Sequence, residues 1–428
     1  MSDYKIETKC LHTGWRPGNG EPRQLPIIQS TTFKFDTSEE MAALFDLAEP
    51  GYFYTRLANP TSDAVAAKIA ALEGGVGGVM TSSGQAASLF SVLNIASAGD
   101  NIISLSSIYG GTYNLFAVTL PKMGIEVRFV DPDASDEELD AVVDERTKAV
   151  FGETIANPAL RIFDIERFAD FAHRHGVPLI VDNTFATPIN CRPLEWGADI
   201  IVHSTTKYMD GHGATVGGCV VDGGKFDWTK YPDRYPGLTT PDESYHGLVF
   251  CEAFGAAAYN VKMVATLMRD IGATPAQMNA FLVNLGLETL HLRMERHVSN
   301  ANNIARRLAE DERISWITYP DLPGNQDHVL QQKYLPKGSC GVISFGVKGG
   351  RAAAMRFMAA LRLAMIATHV ADARTCVLHP ASSTHRQLSD EQLIEAGVRP
   401  DLIRLSVGIE NWEDIWRDLD QALAAAQG

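Results

Sequence analysis

Between residues 63 and 222, seven short apolar runs recur: "GGVMTS", "NIISLS", "IEVRFV", "KAVFGE", "VPLIVD", "DIIVHS" and "GCVVDG", most of them separated by helix-length segments. A strand that is apolar on both faces has to be covered on both faces, and spacers of this length carry the chain back across the sheet. The pattern therefore specifies an α/β domain built on a mostly parallel central sheet. In such sheets ligands gather at the carboxyl ends of the strands, which makes the polar residue closing each run a candidate for chemistry.

The rest of the chain is organised around this unit. Residues 1–62 are rich in Pro, Gly and polar residues, and read as an extended arm with a short helix near "SEEMAALF" that packs on a neighbouring subunit. The large domain is expected over 63–273, with a loop at 223–247 punctuated by prolines. A smaller α+β domain is expected over 274–428. It comprises a charged helical segment, strands at "RISWITY" and "GVISFGV", a helix at "GRAAAMRFMAALRLA", a strand at "IRLSV" and a last helix at "WEDIWRDLDQALAAA".

A formal charge of −15 argues against a polyanion partner, because nucleic-acid binders neutralise phosphates with clustered Lys and Arg. The start has no apolar run of signal-peptide length, and no stretch of bilayer-spanning length is apolar throughout. The six cysteines are scattered without a C-x-x-C pair. A cytoplasmic protein with reduced thiols and no metal centre is expected.

Read at the strand ends, the candidates are Ser82-Ser83-Gly84, Ser106 to Tyr109, Glu153, Asp182 and His203 to Lys207. Asp182 closes "LIVD", and Lys207 follows the next run in "HSTTKY". This pair admits a structural ion pair or a helix cap. It also admits a pyridoxal phosphate site, with a lysine in Schiff-base linkage to the aldehyde and a carboxylate on the pyridinium nitrogen. A phosphate cradle favours the second reading. In "TSSGQAAS", Ser83, Gly84 and Gln85 sit where a strand turns into an Ala-rich helix whose first N–H groups are free for a dianion. Ser204 and Thr206 offer hydroxyls to the same group, and Tyr109 in "IYGGTYNLF" offers a ring to stack on a flat heterocycle.

With these residues in place the chain resembles the Cys/Met-metabolism family of pyridoxal phosphate enzymes, the cystathionine γ-synthase-like group of fold type I. The likeness is carried by "YTRLANPTSD", "ALEGG", "SSGQAA", "YGGTYNLF", "AVFGETIANP", "PLIVDNTFATP", "HSTTKY", "HGATVGG", "HPASSTH" and "RLSVGIE". The long segment "YPGLTTPDESYHGLVF" is similar to the sulfhydrylase branch.

The resemblance implies a fold type I architecture, with pyridoxal 5'-phosphate as cofactor and Lys207 as the lysine that carries it. Asp182 is implied at the ring nitrogen and Tyr109 on the ring face. Gly84, Gln85, Ser204 and Thr206, with Ser83, are implied at the phosphate. Tyr54 and Arg56 of "YTR" would reach that phosphate from a neighbouring subunit, in a homo-oligomer that the family suggests is a tetramer. Asn157 is implied near the cofactor hydroxyl, with Glu153 as a weaker supporting candidate. Arg404, helped by Ser382, would clamp the substrate carboxylate, near which Tyr54 and Asn157 also lie. Lys207 would carry protons, with Tyr109 a candidate to share that work.

The implied activity is γ-replacement on an activated homoserine, O-acetyl-L-homoserine with sulfide or methanethiol, giving homocysteine or methionine and acetate. The chain departs from the family pattern at Thr205, at Asp210 and most of all in "LAMIATHVADART", where Ala367, Thr368 and His369 alter a wall near the substrate. That departure keeps a γ-lyase with another leaving group as the alternative. A dinucleotide oxidoreductase is excluded, because the Gly-rich "LEGGVGGVM" precedes its strand where a G-x-G-x-x-G turn must follow one.

Overall fold

The computed structural model describes residues 4–384, 386–387, 389–391 and 398–428. Each of the seven apolar runs is a strand: β1 (Gly77–Thr81), β2 (Asn101–Leu105), β3 (Glu126–Val130), β4 (Thr147–Glu153), β5 (Leu179–Asp182), β6 (Ile200–His203) and β7 (Gly218–Asp222). They form one sheet in the order β1-β7-β6-β5-β4-β2-β3. Every residue of β2, β4, β6 and β7 is buried, as strands covered on both faces must be.

The pairings from β6 through β5, β4 and β2 to β3 are parallel, while β7 runs antiparallel to both β6 and β1. The reason lies in the connection. Residues 204–217 contain no helix, and a chain that does not cross over the sheet returns antiparallel. The adjacent carboxyl ends of β4, β5 and β6 deliver Glu153, Asp182 and His203 to one edge.

Two helix starts border that edge. The helix Gly84–Leu93 follows β1 after two residues, and the Ser83 hydroxyl caps it by accepting from Ala86 N–H at 3.1 Å. The short helix Gly110–Asn114 follows β2, with Tyr109 at its N-cap.

A second sheet, in the order β10-β11-β12-β9-β8, is built from β8 (Ile314–Thr318), β9 (Val342–Val347), β10 (Met365–Ile366), β11 (Cys376–Leu378) and β12 (Leu402–Ser406). The helices Gly350–Ala360 and Trp412–Gln427 pack with it into a second core around Ile343, Phe345, Phe357, Ile403, Ile415 and Leu419.

The two cores do not part at residue 273. Ala280, Val283, Leu287, Leu290 and Met294 belong to the first, whereas Ala301, Ile304 and Leu308 belong to the second. The division therefore runs through the single 21-residue helix Leu290–Glu310, which at 1.5 Å per residue is long enough, roughly 30 Å, to serve both.

The first 62 residues are less detached than an arm without a core. The expected helix is present at Ser38–Phe45, and a second, Ile6–His12, buries Cys10 in the main core against the helices Pro60–Glu73 and Gln277–Glu288. The stretch 223–247 is an ordered segment whose Trp228, Tyr235 and Tyr245 are buried. Strands β10 and β11, of two and three residues, are too short to show a period in sequence. No helix among the described residues is long and apolar enough to cross a membrane.

Candidate active site

A cavity of about 200 Å³ opens at the carboxyl ends of β4, β5 and β6. The fold brings Ser83, Gly84, Gln85, Tyr109, Glu153, Asn157, Asp182, Ser204, Thr206 and Lys207 to its wall, with Phe185 and Val216 as apolar neighbours. These residues come from segments spread over more than a hundred positions of sequence, and the parallel register of the strands is what lines them up.

Asp182 is fixed by its own turn. Its Oδ1 accepts from the Thr184 hydroxyl at 2.5 Å and from Thr184 N–H at 2.9 Å, and the Thr184 oxygen in turn accepts from Ser204 N–H at 2.9 Å. One residue thus ties the end of β5 to the loop that carries Lys207. Burial raises the Asp182 carboxyl above its usual range, against the hydrogen bonds from Thr184. Glu153 is raised well above its usual range, first by burial and then by the nearby Asp182, and its Oε2 accepts from Tyr109 N–H at 2.7 Å. Glu153 therefore holds the Tyr109 loop in place. Behind the sheet, buried Glu73 accepts from Asn183 at 2.8 Å and meets His203 Nε2 at 2.7 Å.

Lys207 has no ion-pair partner among the described residues. Burial, and then the positive charge of Arg404, lower its amine to about 8. The structural Asp182–Lys207 ion pair that the sequence left open is thus not formed.

Arg404, on β12, reaches the same site from the second sheet. Its Nη1 donates to Asn157 Oδ1 at 3.3 Å and its Nη2 to the Thr368 carbonyl at 3.1 Å, while Nε is buried without a partner. Burial lowers the guanidinium to about 10, and no described carboxylate pairs with it. A buried cation left unpaired in the protein calls for an anionic ligand.

Four expected residues do not line the cavity: Arg404, which meets it through Asn157, and three that stand further apart. The Ser382 hydroxyl is bonded to His379 Nδ1 at 2.8 Å and does not line the cavity. Tyr54 and Arg56 also lie outside it in the single chain, with the Arg56 guanidinium 5.1 Å from the centre of the Tyr54 ring. Two further hydroxyls face the cavity already engaged. Ser83 caps its helix, and Thr206 both donates to and accepts from the backbone of Gly217, at 3.2 and 3.1 Å.

Sequence reasoning passed over Thr184, and named His369 only as part of an altered wall. The signal for Thr184 was local, since a Thr two residues after an Asp can close a side-chain turn on it. For His369 the only signal was its departure from the family pattern.

The residues present fit pyridoxal phosphate. Gly84 and Gln85 supply the first, unpaired N–H groups of a ten-residue helix, and an added Cβ on Gly84 would stand 2.5 Å from Ser204 Cβ, so only glycine leaves the cradle its shape. Buried Gln85 Oε1 lacks a partner. Asp182 is a half-buried carboxylate on the cavity wall with no ion pair among the described residues, the kind of group that would hold a ring N–H cation.

A family profile described as Cys/Met metabolism PLP-dependent enzyme matches residues 7–424. The chain is 47% identical to the homocysteine synthase of Schizosaccharomyces pombe over 98% of both chains. It is 46% identical to O-acetyl-L-homoserine sulfhydrylase 1 of Thermus thermophilus over 98% of this chain and 100% of that one. Among solved structures, a Campylobacter jejuni protein assigned as an O-acetylhomoserine (thiol)-lyase, which carries a pyridoxyl-lysine phosphate residue, superposes with a TM-score of 0.94 at 39% identity, over 98% of this chain and 100% of the other. Strand-end chemistry, the glycine cradle and a match along nearly the whole length lead to one conclusion: this chain belongs to the Cys/Met-metabolism family of pyridoxal-phosphate-dependent enzymes.

Proposed function

We propose that the protein exchanges the γ-acetoxy group of O-acetyl-L-homoserine for sulfide or a small thiol such as methanethiol, releasing acetate and giving homocysteine or methionine. The observation that carries this reading is the convergence of Lys207 and Asp182 on one cavity, with the Arg404 guanidinium, which has no carboxylate partner among the described residues, bonded to Asn157 on its wall. An α-amino acid needs its amine, its Cα proton and its carboxylate met at once. The similarity to a homocysteine synthase and an O-acetylhomoserine sulfhydrylase supports the choice of substrate.

The cofactor, when bound, supplies the electron sink that makes the protons on Cα and Cβ removable. The chain's own residues do the rest. Lys207 Nζ would hold the cofactor, and its amine, lowered to about 8, is the group that would take and return protons of the substrate. Arg404 fixes the carboxylate through two N–H groups in the fork geometry of a guanidinium, with Asn157 holding that fork in place. Asp182 would hold the ring nitrogen and favour its protonated form, and Tyr109 would offer its ring to the cofactor and is a second candidate for proton transfer. Gly84, Gln85 and Ser204, with Ser83, would hold the phosphate, and Thr206 would join them only if its hydroxyl leaves the Gly217 carbonyl.

Tyr54 and Arg56 are assigned to a neighbouring chain's phosphate, so the working unit is at least a dimer. A tetramer of two such dimers, in the cytoplasm, completes the proposal. Ser382 keeps a place near the carboxylate only if its bond to His379 breaks on binding.

A panel of γ-substituted amino acids, each assayed with and without sulfide, tests the reading. Thiol-dependent product from O-acetylhomoserine is expected. Ketobutyrate and ammonia formed with no need for thiol would make the enzyme a γ-lyase, and inertness toward O-acetylhomoserine would reassign the leaving group.

A further inference from the structure

The stretch "ALEGG" carries part of the family likeness, yet none of its residues lines the cavity. Its glycines explain where its carboxylate goes. Gly74 ends the helix Pro60–Glu73 in the left-handed region, at a φ of +86°, and a Cβ on Gly75 would stand 2.4 Å from Val221 Cγ1 and 2.6 Å from the Asp222 carbonyl oxygen. Only a bare backbone lets the helix end press this closely on β7. The last side chain of the helix, that of Glu73, is then fully buried behind the sheet.

Side chains alternate along a strand, so the residues one place beyond the cavity wall face the other side. Glu153, Asp182 and Val202 are register partners, which makes Thr154, Asn183 and His203 the next row, and all three are buried. Hydrogen bonds run along that row without a break. The Thr154 hydroxyl donates to Asn183 Oδ1 at 2.9 Å, Asn183 Nδ2 donates to Glu73 Oε1 at 2.8 Å, and His203 Nε2 meets the same Oε1 at 2.7 Å. Glu73 thereby joins the residue after Asp182 to the residue before Ser204. Its other oxygen and His203 Nδ1 are buried without partners. If filling the core were the only task, apolar side chains would cost less there.

We propose that Glu73 is a positioning residue for the cofactor: from the far face of the sheet it fixes the separation between Asp182, which meets the ring nitrogen, and Ser204, which meets the phosphate. The inference rests on the placement of the cofactor proposed above. A ligand held at both ends feels that separation. Pyridoxal, which lacks the phosphate, meets the second turn only through the flexible Lys207 side chain and tolerates a change in it.

The test titrates cofactor-free protein with pyridoxal phosphate and with pyridoxal, followed by absorbance, with thermal melting to check that each variant is folded. Glu73→Met removes the shared acceptor, whereas Glu73→Gln keeps a carbonyl oxygen in its place. Glu73→Met is expected to weaken pyridoxal phosphate by about tenfold or more, the scale set by leaving buried donors unpaired, and pyridoxal by less than about threefold. Glu73→Gln should hold both affinities within about threefold of wild type. A merely structural role would lower the melting temperature and leave the ratio of the two affinities unchanged. His203→Leu cuts one of the two ties and leaves Asn183 bonded, so it decides the question if Glu73→Met does not fold; it should lose the same preference for the phosphate, and His203→Gln, whose amide can still donate, should regain it. The inference is overturned if the folded tie-breaking variants keep the wild-type ratio, if Glu73→Gln loses as much as Glu73→Met, or if neither tie-breaking variant folds, which would make the row a requirement of folding alone. If wild type itself prefers pyridoxal phosphate to pyridoxal by less than about twofold, the placement of the phosphate falls and takes this inference with it.

Discussion

Replacing Gly84 by alanine probes the phosphate cradle by space alone, because the backbone there has no positive φ to strain. The new Cβ would stand 2.5 Å from Ser204 Cβ, 2.8 Å from its Cα and 2.9 Å from its Oγ. Ordinary contact begins at 3.4 Å, so the helix start and the loop before Lys207 must separate by about 0.9 Å, the difference between 3.4 and 2.5. Ser204 cannot rotate away, since the contact includes its backbone and its N–H is held by Thr184 at 2.9 Å. Overpacking of this kind costs about 1–3 kcal/mol. Without cofactor the two walls are free to relax apart, but gripping a phosphate closes them, so the cost falls on binding. At 1.4 kcal/mol per tenfold, affinity for pyridoxal phosphate should drop between about fivefold and 150-fold. The control is Gly110→Ala, also at the start of a helix beside the cavity, where an added Cβ meets nothing within 4 Å. Titration of the cofactor-free proteins, followed by absorbance, gives the affinities. The cradle argument is refuted if Gly84→Ala binds within about twofold of wild type, or if Gly110→Ala loses as much.

Three further outcomes are expected. The rate at which cofactor-free protein couples to the aldehyde needs an unprotonated Lys207, so it should rise with pH and level off above about 8, and Arg404→Ala should move that midpoint upward; a rate still climbing toward the ordinary lysine value of 10.5 would contradict the tuning. Arg404→Lys keeps the charge and loses the fork, so the KM for the amino acid should rise by about 10- to 100-fold with a smaller fall in kcat, and an unchanged KM would remove Arg404 from the carboxylate. Mixing inactive Lys207→Ala chains with Arg56→Ala chains should restore about a quarter of the wild-type sites if each site takes Arg56 from a neighbour, whereas no recovery on mixing would place both residues in one chain's own site.

The sequence carried the central sheet because its signals are local. Runs such as "KAVFGE" are apolar on both faces, and β4 is buried throughout. The same reasoning led to Asp182, Lys207 and the Ser83–Gln85 turn, since a polar residue that ends a buried strand has to emerge at the ligand edge. What local signals could not carry was any relation across the chain. The bond from Arg404 to Asn157 spans 247 positions, and the packing of Ile6–His12 on the main core joins segments that are hundreds of residues apart. The antiparallel course of β7 was readable only as the lack of a helix between 204 and 217.

By itself, then, the sequence determined the strands of the central sheet, the glycine at the cradle and the chemical types gathered at the strand ends, because periodicity and backbone freedom are properties of a few neighbouring residues. Only the tertiary structure decided that Lys207 has no ion-pair partner among the described residues, that Thr184 and not a cation satisfies Asp182, and that the Ser382 hydroxyl is bonded to His379. These are facts about which charges and donors share a desolvated space, and that space exists only once both sheets have packed.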